Sequence, residues 1–407
     1  MPQQRSAGAE AQNVARRAVV VGAGIGGLAA GAALARGGWE VTIHERSLSL
    51  EPVGAGISLW PNALRALDVL GVGDAVRSSA VLGGGTGLRR PDGSWLARSD
   101  IADEVRRRFG DPLVVLARSE LTDLLAHLLP PASLHLGCAV TAVRYDGAPE
   151  VPARVELVSG DEVEADLVVA ADGISSGLRR KLFPCHPGPV YAGYTTWRFM
   201  APAPAGASGW ETWGPRGQRF AMVPMAGDRV YCYATATTPA GAAQGDQVAE
   251  LRRRFGGWHR PVPEVLAGLG PGQVLRHDVF ELAQPLPAFA AGQVALIGDC
   301  AHAMTPELGQ GGCLALEDAV TLAFSVGPGE GSGGDLSAAL ARYSALRLPR
   351  TTRLARRSRT TSRVTQASGR VSTVLRDASV RVTGRLPAAL IARGLDPVVQ
   401  WWPPTQA

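Results

Sequence analysis

Three glycines near the N-terminus limit the possible folds more than any other feature of the sequence. Gly22, Gly24 and Gly27 form a GxGxxG pattern, which follows the apolar run AVVV and begins a helix-like stretch of small residues. A second strand-like run, WEVTIHER, comes next and includes Glu45. Strand, glycine turn, helix and strand in this order predict the first βαβ unit of a Rossmann-type α/β domain.

The same residues predict a dinucleotide site. Gly22 permits the tight turn, Gly24 lets a pyrophosphate approach the backbone, and Gly27 lets the helix pack against the strand. The helix N-terminus adds partial positive charge beside the phosphates. Glu45 is predicted to accept hydrogen bonds from the ribose hydroxyls, whereas Arg46 either lies along the adenine or is solvated. An acid at this position favours NAD or FAD over NADP.

The apolar run of residues 18–35 allows a second interpretation. It follows Arg16 and Arg17 and contains no charged residue, so it superficially fits a signal peptide or a spanning helix. The glycine spacing and the following strand favour the nucleotide-binding unit instead. We therefore expect no stable membrane insertion.

The composition excludes several other classes of protein. The 407 residues are 46% hydrophobic and 19% charged, which is ordinary for two or three globular domains with a sizeable core. The net charge of +5 comes from basic residues that are almost all arginines, since Lys181 is the only lysine. The sequence contains no basic run interleaved with aromatic residues, so we expect no nucleic-acid binding. The five cysteines lack CxxC or metal-ligand spacing, so we expect free thiols, no metal site and a cytoplasmic location.

Two later segments also have the order strand, loop, helix. Residues 166–183 read DLVVAADGISSGLRRKLF, in which Asp172 follows an apolar run typical of a buried strand. Residues 298–312 read GDCAHAMTPELGQGG and place Asp299, a histidine, a proline and four glycines between an apolar strand and an apolar helix. Loops at such junctions usually serve a ligand, and glycines let a ligand approach the backbone.

Together these segments resemble the single-component flavoprotein aromatic hydroxylases, the family of p-hydroxybenzoate and salicylate hydroxylases. The resemblance rests on segments that occur in the family's order: GAGIGG (22–27) with Glu45, VGAGISLWPNALRALDVLG (53–71), ARSEL (117–121), ADGISSGLR (171–179), and GDCAHAMTPELGQGG (298–312) with LEDA (316–319). Departures are small: Ala117 stands where the family often has His, and Cys300 and Cys313 stand where Ala and Asn are common.

The resemblance implies a bound FAD, with NAD(P)H as a transient co-substrate and O2 as the oxidant. By resemblance, Asp299 hydrogen-bonds the ribityl chain, Pro306 borders the isoalloxazine, and the amides of residues 309–312 face its pyrimidine edge. Arg118 contacts FAD near the pyrophosphate. His302 is predicted to be hydrogen-bonded within its turn. The implied cofactor-binding set is Gly22, Gly24, Gly27, Glu45, Arg46, Gly56, Arg118, Asp172, Asp299, Pro306, Gly309, Gly311 and Gly312.

The implied reaction inserts one oxygen atom from O2, through a flavin hydroperoxide, into an aromatic, polycyclic or other electron-rich small molecule such as a natural-product intermediate. Hydroxylation is favoured over epoxidation, and no side chain is identified as catalytic because the flavin carries the chemistry. A flavin-dependent halogenase needs a pocket lysine and a GWxWxIP-type segment, and neither is evident. A FAD-linked reductase and a non-enzymatic binding protein remain alternatives.

A substrate domain is predicted over residues 188–275, where strand-like runs replace the glycine motifs. We expect a mainly antiparallel sheet over the flavin. Alternation along each strand sends about half of its side chains to the far face. The pocket candidates are Tyr194, Trp197, Arg198, Arg219, Tyr231 and Tyr233. Arg219 followed by Tyr231 also resembles the pocket pattern of flavin-dependent urate hydroxylases.

The remaining segments complete the predicted domain organisation. Residues 1–16 are predicted to be a disordered extension, residues 17–187 and 276–350 a discontinuous FAD-binding domain, and residues 351–407 a C-terminal helical region. Residues 327–335 are predicted to form a loop between helices. The apolar segment 384–402 either docks onto the core or contacts a membrane surface. The sequence leaves a monomer and a homodimer equally open.

Overall fold

The computed structural model describes residues 15–50, 56–81, 86–99, 101–145, 151–242, 245–327 and 335–405. Almost all of the predicted N-terminal extension therefore lies outside the described residues. So do residues 53–55 of the second motif and residues 328–334 of the predicted loop. The predictions made for those residues remain predictions.

The strands within the described residues belong to four sheets. In chain order they are β1 (Arg17–Val21), β2 (Glu40–His44), β3 (Gly56–Leu59), β4 (Thr86–Arg89), β5 (Trp95–Ser99), β6 (Val114–Ala117), β7 (Leu134–His135), β8 (Val140–Arg144), β9 (Ala153–Leu157), β10 (Glu162–Ala165), β11 (Leu167–Ala170), β12 (Val190–Pro202), β13 (Trp210–Trp213), β14 (Arg219–Met225), β15 (Arg229–Thr237), β16 (Leu275–Glu281), β17 (Ala290–Ala291) and β18 (Val294–Leu296).

Helices connect these strands and form the C-terminal region. In chain order the α-helices are α1 (Ile25–Arg36), α2 (Pro61–Leu70), α3 (Gly73–Arg77), α4 (Ile101–Phe109), α5 (Arg118–Ala126), α6 (Gly177–Leu182), α7 (Gln247–Phe255), α8 (Val262–Ala267), α9 (Asp299–His302), α10 (Gly311–Val326), α11 (Leu336–Thr365), α12 (Arg370–Thr383), α13 (Ala388–Arg393) and α14 (Asp396–Val399). Short 3-10 helices cover Pro131–Ser133 and Pro306–Leu308.

The first sheet confirms the predicted Rossmann-type α/β fold. Its order is β17-β18-β11-β1-β2-β7, and β1 pairs in parallel with both β2 and β11. From Ala18 to Val21, β1 is buried and continuously apolar, as central parallel strands usually are. The carboxyl ends of β1, β11 and β18 lie at one edge of this sheet, so the three motifs that follow these strands converge there.

The second large sheet is the predicted, mainly antiparallel layer. Its order is β16-β12-β15-β14-β13-β4-β5, and within it β13 and β4 pair in parallel. Helices α7 and α8 cover one face and enclose Trp197, Phe220 and Phe255 in an apolar core. The sheet also includes strands outside the predicted domain of residues 188–275, because β4 and β5 come from an earlier part of the chain and β16 extends to residue 281.

Helices α11 to α14 make up the end of the chain, for which a helical region was predicted from residue 351. Helix α11 runs unbroken through residue 350. Val398 and Val399 of α14 are buried against α4, α10 and α11, and Arg65 donates hydrogen bonds to the carbonyl oxygens of Val399 and Trp401 at 3.1 and 3.0 Å. The end of the apolar terminal segment therefore docks onto the core. Among the described residues, no helix combines the length and hydropathy needed to cross a bilayer.

Candidate functional site

The glycine turn after β1 leaves open space at the start of α1. Gly22 has a φ of +103°, and a Cβ there would lie 2.6 Å from the Ala171 carbonyl oxygen. At Gly27 a Cβ would lie 1.9 Å from the Gly22 carbonyl oxygen. At Gly24, in contrast, a Cβ would meet nothing within 4 Å. The turn is thus packed tightly on its inner side and open where a phosphate would approach the helix N-terminus.

Glu45 lies beside this turn at the end of β2. Its carboxylate accepts hydrogen bonds from the backbone N–H groups of Ala23 at 2.8 Å and Ser47 at 2.9 Å. Partial burial alone would raise the pKa of Glu45, but these two hydrogen bonds lower it below its ordinary value. The group is therefore ionised at neutral pH and keeps free lone pairs for ribose hydroxyls. Arg46 is exposed.

Arg179 joins the second and third motifs into one unit. This buried side chain donates to the carbonyl oxygens of Cys300 at 3.1 Å and Ile174 at 2.6 Å. Nearby, Asp172 accepts a hydrogen bond from the Leu178 N–H at 3.3 Å through one oxygen. Its other carboxylate oxygen is buried without a hydrogen-bond partner among the described residues. The sequence motif contained Arg179 but gave no indication of this bridging role.

Arg118 and Asp299 carry opposite charges and lie near each other. Both side chains are exposed, although Ala117 and Cys300 beside them are buried. Desolvation lowers the pKa of Arg118, and the Asp299 carboxylate acts in the opposite direction. The positive charge of Arg198, on the second sheet, also lowers the pKa of Arg118. Arg118 therefore lies between Asp299 and the second sheet, and both side chains remain accessible to a ligand.

The loop before α10 exposes peptide groups to the same region. Pro306 begins a short 3-10 helix, Gly309 ends it with a φ of +59°, and Gln310 precedes α10 without capping it through its side chain. A Cβ on Gly311 would lie 4.0 Å from an Asp299 carboxylate oxygen. The first N–H groups of α10 thus have no side-chain cap, and the helix dipole makes this end favourable for negative charge.

A buried carboxylate on α10 holds this loop in place. Asp318 accepts hydrogen bonds from the Gly298 N–H at 2.9 Å, from His302 at 2.5 Å and from Arg347 at 2.6 Å. Burial alone would raise the pKa of Asp318, but His302 and Arg347 lower it to about 2. His302 is therefore a hydrogen-bonded residue, as predicted, but its partner is on α10 rather than within the turn.

The neighbouring Glu317 extends the buried network. It binds Arg347 at 2.6 Å and Arg350 at 2.7 Å through one oxygen, and accepts from Asn62 at 2.7 Å through the other. Asn62 also donates to Gln310, the residue before α10, at 2.9 Å. Glu317 and Asp318 thus connect α2, α10, α11 and the glycine loops.

Five of the six predicted pocket residues share one face of the second sheet. Tyr194, Arg198, Arg219, Tyr231 and Tyr233 follow the alternation of paired strands β12, β14 and β15. Trp197 points into the apolar core on the opposite face, where its indole N–H donates to Gln247 at 2.9 Å. We therefore exclude Trp197 from the pocket.

Arg219 is bound by two carboxylates, neither of which was predicted from the sequence. Its guanidinium lies 3.1 Å from Glu307 and 3.3 Å from Glu211, and Tyr194 donates to the same Glu307 oxygen at 2.8 Å. Burial alone would lower the pKa of Arg219, but Glu211 and Glu307 raise it. Burial also raises the pKa of Tyr194, so its phenol is protonated at neutral pH. The position of Glu307 directly after Pro306 was the available signal.

Gly56 packs against a predicted pocket residue, whereas Lys181 lies on the outside of the molecule. A Cβ on Gly56 would lie 2.5 Å from the ring of Tyr231, so this glycine brings β3 against the second sheet. Lys181 is exposed and donates to the Thr141 carbonyl oxygen at 2.9 Å. The chain's only lysine therefore lies outside the candidate site.

These features fit an extended dinucleotide with a flat redox-active ring. The open turn at Gly24 and the carboxylate of Glu45 suit its phosphates and adenosine ribose. Asp299 offers an acceptor for hydroxyl groups, and the uncapped start of α10 suits a ring edge that gains negative charge. The arrangement as a whole matches FAD.

Comparison with known proteins agrees with this geometry. The family model described as FAD binding domain matches residues 16–358. Aurachin C monooxygenase/isomerase of Stigmatella aurantiaca is 38% identical over 82% of this chain and 85% of that protein. FAD-dependent urate hydroxylase of Klebsiella pneumoniae is 34% identical over 82% of this chain and 86% of its own length. A crystal structure of Klebsiella pneumoniae HpxO with FAD and uric acid superposes with a TM-score of 0.85 at 29% identity, covering 94% of this chain and 96% of that one.

Substitutions of the second and third glycines of the first motif should have different effects. Gly24→Ala adds a methyl group only to the open space, so the flavin-free protein should keep its thermal midpoint while the Kd for FAD rises about tenfold or more. Gly27→Ala forces the helix away from the turn and should lower both stability and affinity. Calorimetry and FAD titration measure the two effects. Wild-type FAD affinity in Gly24→Ala would contradict the assigned phosphate position.

Asp318 predicts a pH-dependent stability difference. Asp318→Asn leaves Arg347 and His302 without their carboxylate and should lower the free energy of unfolding by about 3–5 kcal/mol at pH 7. Because folding lowers this pKa from 3.8 to about 2, the contribution is present above pH 3.8 and is lost as the pH falls toward 2. Urea unfolding measures the difference. The exposed Asp74→Asn is the control and should shift stability by less than about 0.5 kcal/mol; equal losses in both variants would refute the assignment.

Proposed function

Because the chain belongs to the FAD binding domain family and is an FAD-dependent monooxygenase, we propose that it hydroxylates a small aromatic or similarly electron-rich molecule with O2 and NAD(P)H. The Rossmann-type sheet supplies the cofactor site, and the second sheet supplies the substrate surface. The aromatic and charged side chains that share one face of the second sheet support hydroxylation of a compact, flat substrate.

The residues of the first sheet would hold the cofactor. The open turn at Gly24 would receive the diphosphate, and the carboxylate of Asp299 would accept hydrogen bonds from the ribityl hydroxyls. When bound, FAD supplies the chemistry that accepts electrons from NAD(P)H and activates O2. The first N–H groups of α10 would stabilise negative charge on the ring edge without rearranging, because Asp318 and Glu317 already fix this helix end.

The carboxylate of Glu307 carries the proposal for substrate binding. Tyr194 and Arg219 both donate to its Oε1, whereas its Oε2 has no hydrogen-bond partner among the described residues. A buried carboxylate oxygen without a donor is costly, so a ligand donor at this position would be stabilising. We infer that the substrate presents an N–H or O–H group to Glu307 Oε2.

The phenols on the same face as Arg219 would act as hydrogen-bond donors to the substrate. Burial raises the pKa of Tyr231, and it raises that of Tyr233 well above its ordinary value. Both hydroxyl groups therefore stay protonated and can donate hydrogen bonds to a substrate oxygen. Arg198, which is partly exposed on the same face, adds a positive charge suited to a phenolate.

The other candidate activities have less support. A halogenase would need a lysine in the pocket, and Lys181 instead binds the Thr141 carbonyl oxygen on the outside of the molecule. All five cysteines are free thiols, which is consistent with the proposed cytoplasmic location. A reductase would share the cofactor site, and oxygen consumption distinguishes it from a hydroxylase.

The proposal is tested with a panel of phenols, aminobenzoates, purines and quinolines. We expect one class to accelerate both NAD(P)H oxidation and O2 consumption and to give a product heavier by one oxygen atom, with the label retained from 18O2. Substrate reduction without O2 consumption would instead establish a reductase. A purified protein that takes up no FAD would refute the proposal.

Glu307→Gln tests the substrate contact separately from the cofactor. Because the variant loses a charged hydrogen-bond acceptor, we expect kcat/KM to fall roughly 10- to 100-fold. The FAD stoichiometry should stay unchanged, because the substituted group faces the second sheet. Steady-state oxidation and product mass give both values. Glu264→Gln changes an exposed glutamate paired with Arg260 and should leave both values unchanged. Full product formation by Glu307→Gln would rule out the proposed contact.

A further inference from the structure

Helix α12 has its apolar side turned toward solvent. Val371, Val374, Leu375 and Val382 have exposed fractions of 73%, 66%, 64% and 65%. Spaced by three, one and seven residues, they share one stripe with the exposed Ala378. We call these five residues the outer face of α12. A contiguous exposed apolar stripe of this kind usually marks an interaction site.

The opposite side of α12 attaches the helix to the protein through polar contacts. Arg376 and Asp377 are buried and form an ion pair at 2.8 Å. Asp377 also binds Arg90 at 2.8 Å, and the Arg376 guanidinium lies 5.1 Å from the Trp213 ring centre. The outer face therefore contributes nothing to this attachment. Its amphipathic pattern is inverted relative to an ordinary surface helix.

The charge around the outer face is positive. Residues 343–407 contain twelve arginines and two aspartates and no lysine or glutamate. Both aspartates are neutralised within the protein, Asp377 by Arg376 and Asp396 by Arg108. Arg370 and Arg381 are exposed along one border of the outer face.

The cationic and apolar surface continues beyond the end of α12. Leu386 and Leu390 have exposed fractions of 42% and 48%, and Arg385 and Arg393 beside them are also exposed. Exposed leucines and exposed arginines thus continue to alternate along the chain after α12. This composition is typical of helices that lie in a lipid interface.

We propose that the outer face of α12 binds reversibly to an anionic lipid surface. Its apolar side chains would enter the boundary between headgroups and acyl chains, and Arg370, Arg381, Arg385 and Arg393 would lie against lipid phosphates. Pairing with a second copy of this face is disfavoured by charge, because it would oppose two rows of arginines with no acid between them. The proposal does not depend on the identity of the substrate.

Flotation of the full-length, FAD-loaded protein with vesicles tests the proposal. We expect binding to vesicles of phosphatidylglycerol and phosphatidylcholine, weaker binding in 0.5 M salt, and little binding to phosphatidylcholine alone. Val374→Asp/Leu375→Asp should lower the partition coefficient at least about tenfold, and Arg370→Gln/Arg381→Gln should lower it by about fivefold per arginine. Absence of binding to the anionic vesicles would overturn the proposal.

A matched pair of substitutions controls for charge. Leu48→Asp/Val158→Asp replaces one exposed leucine and one exposed valine, with exposed fractions of 88% and 63%, and changes the net charge equally. We expect this variant to bind vesicles within about twofold of wild type. Equal losses in both double variants would overturn the proposal. So would a wild-type dimer in sedimentation that Val374→Asp/Leu375→Asp dissociates without any wild-type vesicle binding.

Discussion

The buried ion pair between Asp318 and Arg347 is the interaction on which the site depends. Asp318 also holds the Gly298 N–H and His302, so one carboxylate fixes the loop after β18 to α10 and α11. Breaking a buried pair of this kind costs about 3–5 kcal/mol, a large part of the stability of an ordinary domain. We therefore expect the loops that are proposed to bind FAD to keep their shape before any ligand binds.

The buried charged network explains how glycine-rich loops stay ordered at the candidate ligand site. Glu317 ties α10 to Asn62 and Arg350, and Arg179 ties the second motif to the third. Because these charges lie behind the loops, the backbone in front of them stays free of side chains. The uncapped N–H groups at the start of α10 can then face a flavin without having to reorganise.

The sequence predicted the elements whose signals are local. The GxGxxG turn, the apolar parallel strands and the order of the motifs gave the Rossmann-type sheet and the convergence of its loops. Pairing between distant strands leaves no such local signal. The parallel pairing of β4 with β13, which adds strands from an earlier part of the chain to the second sheet, was therefore not predicted. Alternation placed Trp197 and Arg198 on opposite faces of β12, but which face meets the first sheet is set by tertiary packing, so Trp197 could not be excluded from the sequence. Glu307 and Arg347 were missed because each acquires its role only from partners far away in the chain.

We propose that Asp299 and the start of α10 lie against the flavin. Titration of flavin-free protein with FAD tests it most directly, with Asp299→Ala compared with Asp103→Ala, an exposed aspartate on α4. We predict that Asp299→Ala raises the Kd for FAD about tenfold or more, as expected for a lost charged hydrogen bond, while Asp103→Ala leaves it unchanged. Wild-type affinity and normal turnover in Asp299→Ala would contradict the account.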